Sequence, residues 1–272
     1  MRVPSLLDLL QLLKSLFLGL IQGVSEWLPI SSTAHLKLAE NFFNWSITPL
    51  FNLVLHLGTL TVLIFYFRRE VKDILGALAH LDFKSESGML IPRIAVATVP
   101  TAIIALTYDL FLQDSLGTIP IIAVTFLIGA TIVFTTKFAR EDTNDLPYKT
   151  AILMGIAQGF AIFPGLSRSG ATISTALMLG LKREKAFKFS FLLSIPAVLG
   201  DSAVEAYMNR GVLSTGGINW YDAGLGFLIA AVAGYFAISL VSRFVRGKKF
   251  HYFAFYTWTL GVALLLYLLL VH

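Results

Sequence analysis

Six stretches of about 20 apolar residues, near 47–67, 89–109, 117–136, 186–208, 222–242 and 252–271, dominate the chain. A helix needs about 20 such residues to cross a hydrocarbon core of roughly 30 Å, so each stretch predicts a membrane span. With 56% hydrophobic and only 14% charged residues among 272, no sizeable soluble domain is left over. The expected fold class is an all-α integral membrane protein. The absence of Cys excludes disulfides, thiolate metal sites and cysteine nucleophiles. Asp8 and Lys14 interrupt the apolar N-terminal run, and no small-residue cleavage site follows it, so a removable signal peptide is not expected.

The charges set a topology. Lys and Arg outnumber Asp and Glu by 21 to 16. They gather in Arg68–Lys72, in Lys137–Lys149, in Lys182–Lys188 and in Arg243–Lys249, whereas the connectors near 38–46, 110–116 and 209–221 are nearly free of them. The positive-inside rule makes the first group cytoplasmic and the second external, and the six spans then alternate without contradiction. The basic excess therefore reads as topology, and no nucleic-acid partner is expected.

Two further apolar stretches, about 5–36 and 150–181, carry Pro, Gly and polar residues in their middles. Each predicts a re-entrant hairpin of two short helices, the first open to the external side and the second to the cytoplasm. Irregular backbone at membrane depth is tolerated only where protein or a wet cavity surrounds it, so these two turns are the natural site. Gly19-Leu20-Ile21-Gln22-Gly23 recurs 136 positions later as Gly155-Ile156-Ala157-Gln158-Gly159, and a Pro and a hydroxyl-rich turn follow each copy. One membrane domain, 1–272, is thus expected to consist of two inverted-topology repeats, about 1–136 and 137–272, each a hairpin plus three spans.

The first hairpin holds Gln22 and Glu26, one helical turn apart, then Pro29, Ser31, Ser32, Thr33 and His35. A carboxylate at membrane depth costs about 2.5–3.5 kcal/mol on insertion scales and marks a partner, water or function. The second hairpin reads Pro164-Gly165-Leu166-Ser167-Arg168-Ser169-Gly170-Ala171-Thr172 and opens into a helix. A Gly- and hydroxyl-rich turn at a helix N-terminus suits a phosphate, and an Arg fork grips phosphate oxygens through two bonds. Taken singly, Glu26 could lie at the membrane surface and Arg168 could snorkel with Ser169 as an N-cap. Together they suggest phosphoryl chemistry on an anionic substrate inside the bilayer.

These two motifs, Gln22 to Glu26 followed by Pro-Ile-Ser-Ser-Thr-Ala-His, and Pro164 to Thr172, resemble the (E/Q)xxxE and PGxSRSxxT signatures of the undecaprenyl-diphosphatase family, also called bacitracin-resistance proteins. The resemblance covers the chain in length, spacing and span order. It implies a membrane hydrolase that converts undecaprenyl diphosphate to undecaprenyl phosphate and inorganic phosphate, recycling the lipid carrier of peptidoglycan synthesis in the bacterial plasma membrane. It implies a divalent cation, Mg2+ or Ca2+, with Glu26 and Gln22 as ligands; Gln at the first position leaves one carboxylate rather than two. It makes Glu26, His35, Ser32 and Arg168 the catalytic set, and Arg168, Ser167, Ser169, Gly165 and Thr172 the phosphate-binding set. The attacker is open between Ser32, His35 and a metal-bound water. The expected partners are a polyprenyl diphosphate and the bilayer, with a homodimer as an option and the active site facing outward.

A transporter or lipid-phosphate flippase using the same anion site is the rival reading. The other membrane lipid-phosphatase superfamily is set aside, because no Lys-x6-Arg-Pro is present and no His lies five residues after Ser167-Arg168. Elsewhere, Asp201 and Glu205 read as a solvated lip, His56 as a packed hydrogen-bonding residue, and Trp27, Trp45, Trp220 and Tyr221 as an aromatic belt. Phe187 to Phe191 reads as lipid or core packing.

Overall fold

The computed structural model describes residues 6–112, 116–211 and 219–271, so parts of two expected external connectors, 113–115 and 212–218, lie outside the described residues. The first hairpin comprises α1 (Leu6–Trp27) and α2 (Ser32–Phe43). It is followed by α3 (Pro49–Tyr66), the short α4 (Arg68–Ala79), α5 (Leu90–Phe111) and α6 (Ile119–Thr135). The second hairpin, α7 (Tyr148–Phe160) and α8 (Arg168–Met178), leads into α9 (Arg183–Met208), α10 (Trp220–Arg246) and α11 (Phe253–Val271). Among the described residues, six helices are long and apolar enough to cross a membrane, matching the six expected spans. The protein is a multi-pass membrane protein. Large apolar side chains such as Phe111, Phe236 and Leu270 stay exposed along these helices, as hydrocarbon solvent permits.

The hairpins depart from expectation in one respect. α1 runs for 22 residues, far longer than a short re-entrant arm, whereas α2, α7 and α8 have 12, 13 and 11. Its length follows from its partner: α1 lies along α10, and α7 lies along α5. The repeated Gly pairs are the seats. A Cβ on Gly23 would stand 2.5 Å from the Ala230 carbonyl oxygen of α10, and one on Gly19 2.7 Å from that of Gly226. On α7, a Cβ on Gly155 would enter the Ala97 carbonyl of α5, and one on Gly159 would come within 2.8 Å of Ile104. Small residues four apart let helix backbones meet where lipid offers no hydrophobic drive to associate. Thr101 on α5 adds a buried hydrogen bond of 2.8 Å to the Gly155 carbonyl.

Between these pairs α3 packs on both α9 and α10, and α6 packs on α11. The core has an aromatic centre: Trp27 lies 5.4 Å from Phe191, which makes tilted ring contacts with Phe187 and Phe67 at 4.6 and 5.9 Å. Trp27 is 2% exposed, so the interfacial-belt reading fails for it; it ends α1 at the hairpin tip and is enclosed there. Phe187 to Phe191 is core packing, with each Phe at most 4% exposed.

Candidate active site

Each hairpin turns where its sequence forbids further helix. α1 stops two residues before Pro29, and α2 restarts at Ser32 after Ser31, which adopts φ 69°. A positive φ costs a residue with a Cβ about 1–3 kcal/mol and persists where surroundings enforce it. In the second hairpin the turn passes through Gly165 at φ 104°, where Gly has no such penalty. The two turns meet: the Gly165 N–H donates to the Ser31 hydroxyl at 3.0 Å. Two further stitches join them, from the Ser167 hydroxyl to the Leu28 carbonyl at 3.2 Å and from the Ser169 hydroxyl to the Trp27 carbonyl at 2.8 Å. Thr125 of α6 holds the Pro164 carbonyl from behind.

This junction places Arg168, the first residue of α8, against Glu26 on the last turn of α1. Arg168 Nη2 donates to Glu26 Oε1 at 2.8 Å, although the two residues are 142 apart in the chain. Glu26 Oε2 accepts from the Ser32 hydroxyl at 2.6 Å and from Gln22 Nε2 at 3.0 Å. The Glu26 side chain is only 1% exposed. Burying a carboxylate alone costs several kcal/mol, and these charge-assisted bonds offset that cost. Chemically, a hydroxyl is bonded to a buried carboxylate that a guanidinium orients, which is a nucleophile and base with a charged partner.

His35 is placed differently. It lies one turn beyond Ser32, but its Nδ1 donates to the Ser31 carbonyl at 2.8 Å and its Nε2 faces the Tyr256 hydroxyl of α11 at 2.8 Å. The carbonyl partner assigns the ring proton to Nδ1 and leaves Nε2 to accept from Tyr256. Glu26, Ser32, Gln22 and Arg168 are thus brought together, with His35 beside them on its own partner. The hydroxyls of Ser167, Ser169 and Thr172 already have acceptors. Ser167, and not Ser169, caps α8, accepting from the Gly170 N–H at 3.2 Å. Thr172 donates to the Arg168 carbonyl at 2.9 Å.

Two neighbours were not placed at the site by the sequence: His56, expected as a packed hydrogen-bonding residue, and Tyr256. His56 on α3 stands with Nε2 3.8 Å from Glu26 Oε2, its Nδ1 donating to the Asn52 carbonyl at 3.0 Å. Tyr256 is an ordinary aromatic residue of a span until His35 is seen against it. Neither lies in a hairpin, and the only signal for His56 was its polarity in an apolar run. A divalent cation finds one carboxylate here and one buried acceptor without a partner, Gln22 Oε1. Among the described residues no group of three or more His, Asp or Glu could form a cage. That donor set fits an ion of the magnesium type, which takes one or two protein oxygens and completes its shell with substrate phosphate and water.

Comparison with known proteins bears on what this site does. A family model described as bacitracin resistance protein BacA matches residues 15–263. The undecaprenyl-diphosphatase of Korarchaeum cryptofilum is 36% identical over 266 residues, covering 94% of this chain and 99% of the relative. Those of Carboxydothermus hydrogenoformans and Saccharophagus degradans are 38% and 36% identical, covering 93% and 94% of this chain and 95% and 97% of theirs.

Proposed function

The chain belongs to the bacitracin resistance protein BacA family, and from that premise we propose that it hydrolyses undecaprenyl diphosphate to undecaprenyl phosphate and inorganic phosphate, thereby conferring bacitracin resistance. A transporter with the same anion site is not favoured, since these relatives are named as diphosphatases. The observation that carries the chemistry is the Ser32–Glu26–Arg168 chain of hydrogen bonds across the two hairpin tips.

In this reading Ser32 attacks the terminal phosphorus while Glu26 Oε2, 2.6 Å away, takes its proton. Undecaprenyl phosphate leaves, and a phosphoserine remains. Protonation neutralises Glu26, so the Arg168 charge passes from the carboxylate to the phosphoryl oxygens when negative charge accumulates on them. Water then attacks the phosphoserine and yields its proton to His35 Nε2, Ser32 takes its own proton back from Glu26 as the P–O bond breaks, and inorganic phosphate departs with the proton held on His35. The first amides of α8 present partial positive charge to the same group. His35 Nε2, unprotonated and facing the Tyr256 hydroxyl, is thus the base for the entering water, and undecaprenyl phosphate leaves as the anion. Gln22 Oε1 and Glu26 would hold a divalent cation, which would supply charge neutralisation on the diphosphate.

The finer placement belongs to the same proposal. The basic connectors put the ends of α3 and α10 in the cytoplasm of a bacterial plasma membrane, and the first hairpin then opens outward. The halves are read as inverted repeats. In support, α2 starts at Ser32 and α8 at Arg168, 136 positions apart, with Ser31 and Ser167 before them. The exchange of partners, α1 with α10 and α7 with α5, is what a two-fold relation between halves requires.

The test is to trap the enzyme at low pH with substrate labelled in the terminal phosphate. The label is expected on wild type and absent from Ser32→Ala. Loss only in His35→Ala would reassign the nucleophile, and an unlabelled, active wild type would assign the attack to water.

A further inference from the structure

Arg168 uses half of its fork. Nη2 is on Glu26, whereas Nη1 is buried and has no partner among the described residues. A buried donor left unpaired costs about 1–3 kcal/mol, and at a functional site such a group calls for a ligand. Beside it is a small pocket lined by Glu26, Arg168 and two serines of α9, Ser190 and Ser194, with room for about one oxygen-sized group. The packed Trp27 and Phe191 rings form another part of its wall.

Ser190 is 3% exposed, and its hydroxyl lies 2.5 Å from that of Thr172. Thr172 has one hydroxyl proton, which goes to the Arg168 carbonyl, so Ser190 is the donor in this pair. Rotation about one C–O bond redirects that proton into the pocket. The motifs that name the hairpin residues say nothing of α9, yet α9 lines the pocket beside Arg168 and Glu26.

We propose that this pocket receives one equatorial oxygen of the phosphoryl group during transfer, with Arg168 Nη1 and the Ser190 hydroxyl as its donors. This rests on the hydrolase reading above. The two donors are fixed on opposite elements, α8 and α9, at one small pocket. A phosphoryl group flattens as it is transferred, so an oxygen that meets both donors only in the flattened geometry is held more tightly there than in the bound substrate, which is the condition for accelerating the step. Ser190 is a binding residue for the transition state more than for the bound substrate.

The experiment compares wild type, Ser190→Ala and Ser190→Thr as purified full-length proteins, with farnesyl diphosphate as substrate. Orthovanadate serves as a mimic of the five-coordinate phosphorus and inorganic phosphate as a product inhibitor. Ser190→Ala is expected to lower kcat by about 10- to 100-fold with KM within about threefold, and to weaken vanadate inhibition far more than phosphate inhibition. Ser190→Thr, which keeps the hydroxyl, is expected to recover most of both, and thermal unfolding in detergent reports whether each variant is folded. A folded Ser190→Ala whose kcat and vanadate inhibition stay within about twofold of wild type overturns the proposal. So does a folded Ser190→Ala in which vanadate and phosphate inhibition weaken equally. A folded wild type that releases no phosphate overturns the hydrolase reading instead.

Discussion

Glu26 gathers three donors from three different places: Gln22 one turn back on its own helix, Ser32 across the turn, and Arg168 from the other hairpin. Glu26→Gln keeps the shape and removes the base, so kcat is expected to fall by about 10^2- to 10^4-fold in a phosphate-release assay. Arg168→Lys keeps the charge but has a single nitrogen where the fork had two. If that nitrogen stays on Glu26, no cation reaches the oxygen pocket, and phosphate release should drop at least tenfold; unchanged release would remove Arg168 from its role. Arg168→Ala leaves Glu26 buried without its cation and should also cost about 3–5 kcal/mol of stability, read as a lowered thermal midpoint. Glu26 and Arg168 were legible in the sequence because charge at membrane depth is costly and so seldom idle. Ser190 and Tyr256 were not, because a Ser or Tyr inside a span pays no comparable penalty and looks like any packing residue. Their relevance exists only once α9 and α11 are brought against the hairpins.

At the scale of elements, the spans were legible from length and hydropathy, since twenty apolar residues have few other uses. The partners of the hairpin arms were not. Gly19, Gly23, Gly155 and Gly159 registered as a recurrence, whereas their role is to bring α1 onto α10 and α7 onto α5 at backbone distance. Gly23→Leu forces a branched chain into the Ala230 carbonyl and the Ala233 methyl. It should separate α1 from α10, lower the thermal midpoint and disturb Glu26 one turn away, whereas Gly224→Leu on the open side of α10 should leave the midpoint unchanged. Trp27 shows the limit of reading a residue type by its usual location. Position at a hairpin tip sent it inward, because the tip itself is enclosed by α3, α9 and α10.

For the whole molecule, the proposed catalytic group draws on both hairpins. Ser32 and Arg168 open α2 and α8, so in the proposed mechanism one scaffold position supplies the attacking oxygen in the first hairpin and the counter-charge in the second. Expressed as two fragments divided in the 139–147 connector, neither piece alone should release phosphate. Co-expression should restore a measurable fraction, and activity from the first fragment by itself would contradict a shared site.

The same long separation has a consequence for biogenesis. Glu26 is translated 142 residues before Arg168. At about 5–20 residues per second, that is an interval of roughly 7 to 28 s. Throughout it the nascent chain carries its acid with Gln22, Ser32 and His56 as neighbours but without the Arg168 cation. A chain that stops in this window carries a membrane carboxylate without the cation that partners it in the finished fold.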